Sequence, residues 1–386
     1  MKNTENYARK SLDGLWVGDC VGNLGQLYFV HDILKALSEG VAKFGGQLTQ
    51  FHKQFQYSDD TEEAIVLVNH LKGKEAAESS KSPVIEPDKL AMEFATRYMT
   101  RDPDGEIYGY GLNTRKVLRD IYEGTPWTTA NKFVKAKAEG MPSHIDSLVN
   151  SLSNGKDMKA AMHEVNLVLE RQKKGETGEL QGSCGNGSAM RVAPLGAFLA
   201  SQLWSEYNGD ERPDKMGLHS FEKHIIAEAA LQAQVTHCHP EGIAGAIAIT
   251  SLAYDVTTMV IVKGHMYSKQ VYENLLRRVP EGQVRNGIDK ASKMGYDIPI
   301  GKVIEILGNG THVTCQDTVP LCCYLAIKHL DQNAGLSDMY EKAIIETSMA
   351  FGDVDTNCAI VGGIVGIANH PPEKWSQFCQ PMEGVV

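Results

Sequence analysis

Two short acidic segments carry the most chemistry in this sequence. Ser58-Asp59-Asp60-Thr61 stands before Glu62-Glu63 and the apolar run Ala64-Ile65-Val66-Leu67-Val68. Asp353-Val354-Asp355-Thr356 stands before Asn357 and the small, apolar run Cys358-Ala359-Ile360-Val361. Each alone fits a helix start, where a hydroxyl or carboxylate caps free N–H groups and acids suit the positive end of the helix dipole. Together they share one pattern: a hydroxyl and two carboxylates at the head of an apolar helix. Crowded carboxylates repel and are costly to desolvate, and a hard cation would offset both penalties. If the two starts converge, Ser58, Asp59, Asp60, Asp353, Asp355 and Thr356 form an all-oxygen set. Such a set suits two divalent cations, Mg2+ or Mn2+, whereas zinc would draw on Cys or His. Two ions could clamp substrate hydroxyls and activate a water. Asp60 and Asp355 are assigned to water activation, although spacing alone does not identify the base.

Neutral elements could hold the rest of a ligand. Gly182-Ser183-Cys184-Gly185-Asn186 runs through Gly187-Ser188 to Arg191. Its glycine turns can present backbone N–H groups to phosphate oxygens, although it is neither a GxGxxG nor a P-loop motif. The Arg191 side chain is expected to pair with a carboxylate and support that loop. In Thr236-His237-Cys238-His239-Pro240, His237 could face a ligand and His239 could support the turn; an HxH zinc site is a weaker alternative without a partner cluster. Asp19, within Gly14–Gly22, is read as a buried or capping partner of the acidic loop.

The elements that must position these residues read as helices. Glu62–Leu71, Lys89–Met99, His224–Gln234, Glu241–Tyr254 and Tyr340–Met349 carry apolar residues at helical spacing, and period-two runs are scarce. An all-α fold follows, a compact multi-helix core in one domain over 1–386. Breaks fall at Arg101–Gly111, Lys173–Ser188 and Gly308–Pro320, each a binding loop or a plain connector. With 386 residues, 42% hydrophobic and 22% charged, the chain can bury a large core. A formal net charge of −10 disfavours nonspecific nucleic-acid binding. The longest apolar run, Cys358–Ala368, is short and glycine-rich, so no membrane association is expected. Eight scattered cysteines look like buried small hydrophobes in a reducing cytoplasm. A cytoplasmic monomer is expected.

In order along the chain, GLWVGDCVG at 14–22, YSDDT at 57–61, GNGSAMRVAP at 185–194, THCHPEGIAGA at 236–246, GNGTHVTCQDTVP at 308–320 and FGDVDTNCAIVGG at 351–363 resemble the ADP-ribosylglycohydrolase (DraG-like) family. The resemblance implies an all-helical fold around two Mg2+ or Mn2+ ions, and cleavage of the glycosidic bond between ADP-ribose and a modified protein side chain. It implies Ser58, Asp59, Asp60, Asp353, Asp355 and Thr356 as metal ligands. It also puts the loop Gly182–Asn186 near the phosphates, His237 beside the ligand and Gly308–Asp317 at a further wall. SDDT, THxHP and the GSCG turn look most like the ADP-ribosyl-arginine branch; a serine-linked or small-molecule conjugate, or a noncatalytic ADP-ribose binder, are the alternatives. Where many members carry a glutamate after the first motif, this sequence has Gln26, which cannot act as a carboxylate base.

Overall fold

The computed structural model describes residues 6–27, 55–74, 83–132, 182–206, 215–332 and 335–385, apart from the side chains at 25–27, 206 and 215–220. Gln26 therefore lies in a helix whose side chain there is outside the described residues, as is the first part of the Lys173–Ser188 break. In chain order the helices are α1 Tyr7–Leu27, α2 Asp59–Leu71, α3 Pro87–Arg101, α4 Leu112–Tyr122, α5 Trp127–Ala130 and α6 Gly187–Met190. They continue with α7 Ala193–Glu206, α8 Lys215–Gln234, α9 Pro240–Ile261, α10 Ser268–Arg278 and α11 Gln283–Ser292. The last are α12 Ile300–Leu307, α13 Cys315–Gln332, α14 Met339–Ser348, α15 Val354–Val365 and α16 Glu373–Ser376. Among the described residues there is no strand, only isolated bridges pairing Phe55 with Cys379 and Gly185 with Thr314. The all-α expectation holds.

Local sequence explains the helices that matter most. In α3, Leu90, Ala91, Phe94, Ala95 and Tyr98 recur at helical spacing and all are buried, leaving the opposite face polar. Helix α9 is apolar around nearly its whole circumference, and such a helix belongs in a core. It extends past Tyr254 to Ile261 and, by length and composition alone, is long and apolar enough to cross a membrane. It is longer than Cys358–Ala368, the run that stands out in the sequence. Within this fold, 78% of the most apolar window of α9 is buried against other helices. The break expected over Gly308–Pro320 is shorter than its sequence suggests. Helix α13 starts at Cys315 and carries Pro320 inside it, because tertiary packing outweighs the lost backbone hydrogen bond. All eight cysteines are free and six are buried, as expected of small core hydrophobes.

The packing of α1 on α15 sets the floor of the site. A Cβ at Gly18 would lie 2.2 Å from the Cys358 carbonyl oxygen, and one at Gly22 only 2.6 Å from Asp355 Cα. Only glycine permits that approach of two backbones. It fixes Asp19 on α1 against the start of α15, and Asp19 in turn organises the start of α2.

Candidate active site

Both acidic segments are helix starts, and both open on one cavity of about 720 Å³. Ser58 caps α2: its Oγ accepts from Asp60 N at 3.2 Å. The turn is then held from below by Asp19, which is fully buried. Asp19 accepts from Ser58 N at 3.0 Å, Ser58 Oγ at 2.9 Å, Thr61 N at 3.1 Å and Thr61 Oγ1 at 2.5 Å. The expected role of Asp19, a buried partner to the acidic loop, is what its contacts show. Thr356 Oγ1 on α15 reaches Asp60 Oδ2 at 3.3 Å, so the two acidic starts meet.

The six acids of the two segments themselves, Asp19 apart, divide into two groups. Glu62 is neutralised by Arg97 Nε at 2.6 Å and Arg101 Nε at 3.0 Å, and it accepts from Tyr57 Oη at 2.9 Å. Glu63 pairs with Arg191 Nη1 at 2.7 Å. Asp59, Asp60, Asp353 and Asp355 have no cationic side chain beside them among the described residues. Burial pushes the Asp59 carboxyl well above its usual range, helped by the charges of Glu63, Asp355, Asp19 and Asp353. Burial and the charges of Asp19, Asp355 and Asp59 do the same to Asp60. Asp353 is pushed up to about 8 by burial and by Asp355, and Asp19 to about 7 by burial and Asp355. One further detail points the same way. Ser58 Oγ lies 2.9 Å from Asp19 Oδ1 and 2.7 Å from Asp60 Oδ2, yet a hydroxyl has one proton to give. The two carboxyl groups therefore compete for that one proton.

Buried Oδ1 atoms of Asp60 and Asp355 have no hydrogen-bond partner among the described residues. Buried polar atoms without partners are uncommon and call for an ion, a water or a ligand. Hard oxygen donors, orphaned carboxylate oxygens and excess negative charge fit a divalent cation in chemical kind. Among the described residues, however, no three His, Cys, Asp or Glu side chains are gathered into a group that could hold a metal ion as they stand. The same holds for the weaker zinc alternative at His237 and His239.

The glycine loop forms the neighbouring wall. Asn186 Nδ2 donates to Asp353 Oδ2 at 2.6 Å and to Thr318 Oγ1 at 3.0 Å, tying loop and acids together. Ser183, Gly185, Asn186 and Gly187 line the cavity with His237. His237 Nδ1 bonds Thr236 Oγ1 at 2.8 Å, and a Cβ at Gly187 would sit 2.6 Å from the ring, so this backbone lies against the imidazole. Burial, with the Arg191 charge, lowers the His237 pKa to about 3, and the ring is neutral at neutral pH. Arg191 is itself fully buried between Glu63 and Gln232, with its guanidinium 4.2 Å from the Phe94 ring centroid. It supports the loop, as expected, and does not line the cavity. His239 Nδ1 accepts from Glu241 N at 3.1 Å and caps α9.

A model of the ADP-ribosylglycohydrolase family matches residues 1–381 of this sequence. The chain belongs to the ADP-ribosylglycohydrolase family. Hydrolysis of ADP-ribose conjugates is the activity that this membership supports. No curated protein matches the chain significantly. Among solved structures, one described as an ADP-ribosylglycohydrolase-related protein complex is similar at 14% identity and a TM-score of 0.49, covering 98% of this chain and 94% of that chain.

In this ADP-ribosylglycohydrolase the cavity gathers nearly every residue singled out from the sequence: Ser58, Asp59, Asp60, Asp353, Asp355, Thr356, Ser183, Gly185, Asn186 and His237. Gly182 and Cys184 are off its wall. Gly182 packs by Cys238 in a left-handed turn, and the Cys184 carbonyl accepts from Cys315 N at 2.9 Å. Both shape the loop from behind. The segment 106–114 supplies a wall: the break at Arg101–Gly111, open between binding loop and connector in the sequence, is a binding loop that runs on through Leu112–Thr114, and Asn23, Met190 and Val313 complete the lining. Its anchor was visible: Asp102 accepts from Glu106 N, Ile107 N and Tyr108 N at 2.9, 3.1 and 2.9 Å, as turn-forming aspartates do. Tyr108 O then receives Asp59 N at 2.8 Å, which joins this wall to α2.

Proposed function

We propose that this hydrolase releases ADP-ribose from a modified protein side chain, arginine by preference, and that it does so with two divalent cations, Mg2+ or Mn2+. The observation that carries the reading is the division of charge at the two helix starts. Glu62 and Glu63 have guanidinium partners, whereas Asp59, Asp60, Asp353 and Asp355 surround one cavity with none. A fold that places arginines against two of six acids leaves the other four for cations from solution. Ser58, Asp59, Asp60, Asp353, Asp355 and Thr356 would hold them. Cations bound there would supply the positive charge that lowers the pKa of a water and orients vicinal ribose hydroxyls.

The side chains divide the remaining work. Asp60 and Asp355, each with a buried unpartnered oxygen, would accept a proton from the attacking water. Water oxygen bonds to the anomeric carbon of the ribose as the bond to the guanidine nitrogen breaks, and the departing nitrogen takes a proton. The Gly187 N–H would meet the pyrophosphate beside the Gly182–Asn186 loop, whose Gly185 and Asn186 amides are spent on Ser183 Oγ and Val313 O. His237, kept neutral by burial, would stand beside it as a hydrogen-bonding group without adding charge. The arginine preference rests on the SDDT, THxHP and GSCG forms of the motifs.

The test is one assay panel with Mg2+, Mn2+ or a chelator, and ADP-ribose carried on arginine, serine, a carboxylate or a small acceptor. Metal-dependent release from arginine supports the proposal. Release from another acceptor alone removes the arginine preference, and binding of ADP-ribose without release from any acceptor removes the catalytic assignment.

A further inference from the structure

Three non-glycine residues among those described have a left-handed backbone: Lys263, Val313 and Phe351, at φ +51°, +53° and +55°. Lys263 makes the turn that ends α9, and Val313 lines the cavity. Phe351 does neither. It is 63% exposed and stands off the cavity wall, so neither core packing nor the lining accounts for a bulky ring in a conformation that asparagine or glycine adopts more readily. The turn around it is held by its neighbours. Asn309 Nδ2 donates to Ala350 O at 3.0 Å, Asp353 N donates to Asn309 O at 3.3 Å, and a Cβ at Gly352 would run into that same oxygen. Strained residues persist where their surroundings over-determine them, and they gather at functional sites.

The chain itself fixes where Phe351 stands. Its Cα lies within about 7.6 Å of the Asp353 Cα, two trans peptides away, and Asp353 lines the cavity. The other acidic helix start has an apolar neighbour too: Ile107, 60% exposed, precedes Tyr108, whose carbonyl accepts from Asp59 N at 2.8 Å. Each pair of acids is thus bordered by an exposed apolar side chain on a backbone bonded into the site. A cavity of about 720 Å³ takes a nucleotide-sized ligand and no folded protein. With the acids at the bond between ribose and acceptor, the acceptor side chain leaves the cavity on their side, and the protein that carries it lies against what borders them there. An exposed phenylalanine beside a polar opening suits that contact, since aromatic rings anchor protein interfaces with large apolar area and few rotors. A second copy of this chain seated there would instead close the opening against substrate.

Resting on the hydrolase reading above, we infer that Phe351 is a docking contact for the protein that carries the ADP-ribosylated side chain, with Ile107 bordering the same opening. It adds affinity for a protein substrate and none for a small conjugate, which ends before reaching it.

The experiment measures kcat/KM with Mg2+ for two substrates, an intact protein ADP-ribosylated on arginine and free ADP-ribosylarginine, in wild type, F351N, F351G and F351Y. Asparagine and glycine keep the left-handed turn without the ring, so the melting temperature is expected to hold or rise. Both variants are expected to lose about tenfold on the protein substrate, through KM, and to match wild type on free ADP-ribosylarginine, while F351Y keeps the wild-type values. Equal loss on both substrates would show that Phe351 only positions Asp353, and no loss on either would show no contact; each result overturns the inference. So does a wild-type dimer in sedimentation that F351N and F351G convert to monomer, since the ring then serves a second copy. Wild type that cleaves both substrates with equal kcat/KM overturns the docking role and leaves the hydrolase reading intact. Wild type that cleaves neither sinks both.

Discussion

Thr356 Oγ1 lies 3.3 Å from Asp60 Oδ2, and this hydrogen bond joins two helix starts separated by 296 residues. It makes Asp60 and Asp355 members of one cavity wall. Asn replacements preserve their shape and remove one negative oxygen each. D60N and D355N are expected to stay folded, because each substitution relieves repulsion among buried acids, and to lose ~10–100-fold in turnover through weaker metal holding or water activation. Wild-type turnover in both variants, measured on a conjugate the native enzyme cleaves, would remove their assigned roles.

The crowded acids also set a pH dependence. With burial the main cause, Asp353 is pushed up to about 8 and Asp19 to about 7, so the folded protein holds protons that the unfolded chain releases near its ordinary carboxylate pKa. For a raised pKa the contribution to stability is complete below the unfolded value and is lost as pH rises through the folded one. The metal-free protein should therefore melt at lower temperature as pH climbs from about 4 to about 8. Cations bound at these carboxylates, as proposed, would displace those protons, so the rise in melting temperature on adding Mg2+ or Mn2+ should be small near pH ~6 and large near pH ~8. A cation effect that is flat across this range would argue against binding at these carboxylates.

Asp19 offers a separation of scaffold from chemistry. Its two oxygens receive the Ser58 and Thr61 amides and hydroxyls, all in a buried turn. D19A strands those donors, and each buried unsatisfied group costs about 1–3 kcal/mol. Removing its charge lessens repulsion with Asp355, but stranded donors outnumber that single gain. Denaturant titration should show D19A less stable than wild type by about 2–4 kcal/mol, in contrast to D60N. Equal stability of D19A and wild type would mean that the turn holds without its buried acceptor.

Much of this site was legible because its grammar is local. A hydroxyl followed by two acids at the head of an apolar helix identifies a cap, and two such heads suggest a shared ligand, whatever the fold between them. The buried Asp19 was readable from the glycines flanking it, since small residues announce close helix packing. The wall at 106–114 was not readable in the same way. Its exposed Ile107 and Leu112 carry no chemistry in sequence and become lining only because Asp102 folds the turn and Tyr108 docks on Asp59. Val313 likewise looks like an ordinary strand former until its backbone angle is known. The start of α13 at Cys315 was hidden by Pro320, whose helix-breaking tendency is overridden by a helix buried over most of its length.

Arg191 tests the link between the acids and the glycine loop. It is exposed to neither solvent nor cavity: its guanidinium bonds Glu63 and Gln232 and stacks on Phe94. Removing one partner of a buried pair leaves an uncompensated charge, so R191M should destabilise the fold by about 3–5 kcal/mol. In the double variant R191M/E63L the stranded carboxylate is gone, and much of that loss should return. If R191M alone melts like wild type, the pair does not hold the loop against α2.

Gly22 tests whether the α1–α15 contact sets the geometry of the acids. An added Cβ would meet Asp355 Cα and the Val354 carbonyl oxygen, both at 2.6 Å. These are backbone atoms and cannot rotate away, so α1 or the start of α15 must shift. G22A should lose about 1–3 kcal/mol of stability from overpacking. Because the displaced residue is Asp355 itself, the rise in melting temperature on adding Mg2+ should also shrink. Gly301 supplies the control: it lies in α12, and a Cβ there meets nothing within 4 Å. G301A should gain about 0.5–1 kcal/mol from helix propensity and keep the full cation response. A G22A protein with an undiminished cation response would show that the close approach of these backbones serves packing alone.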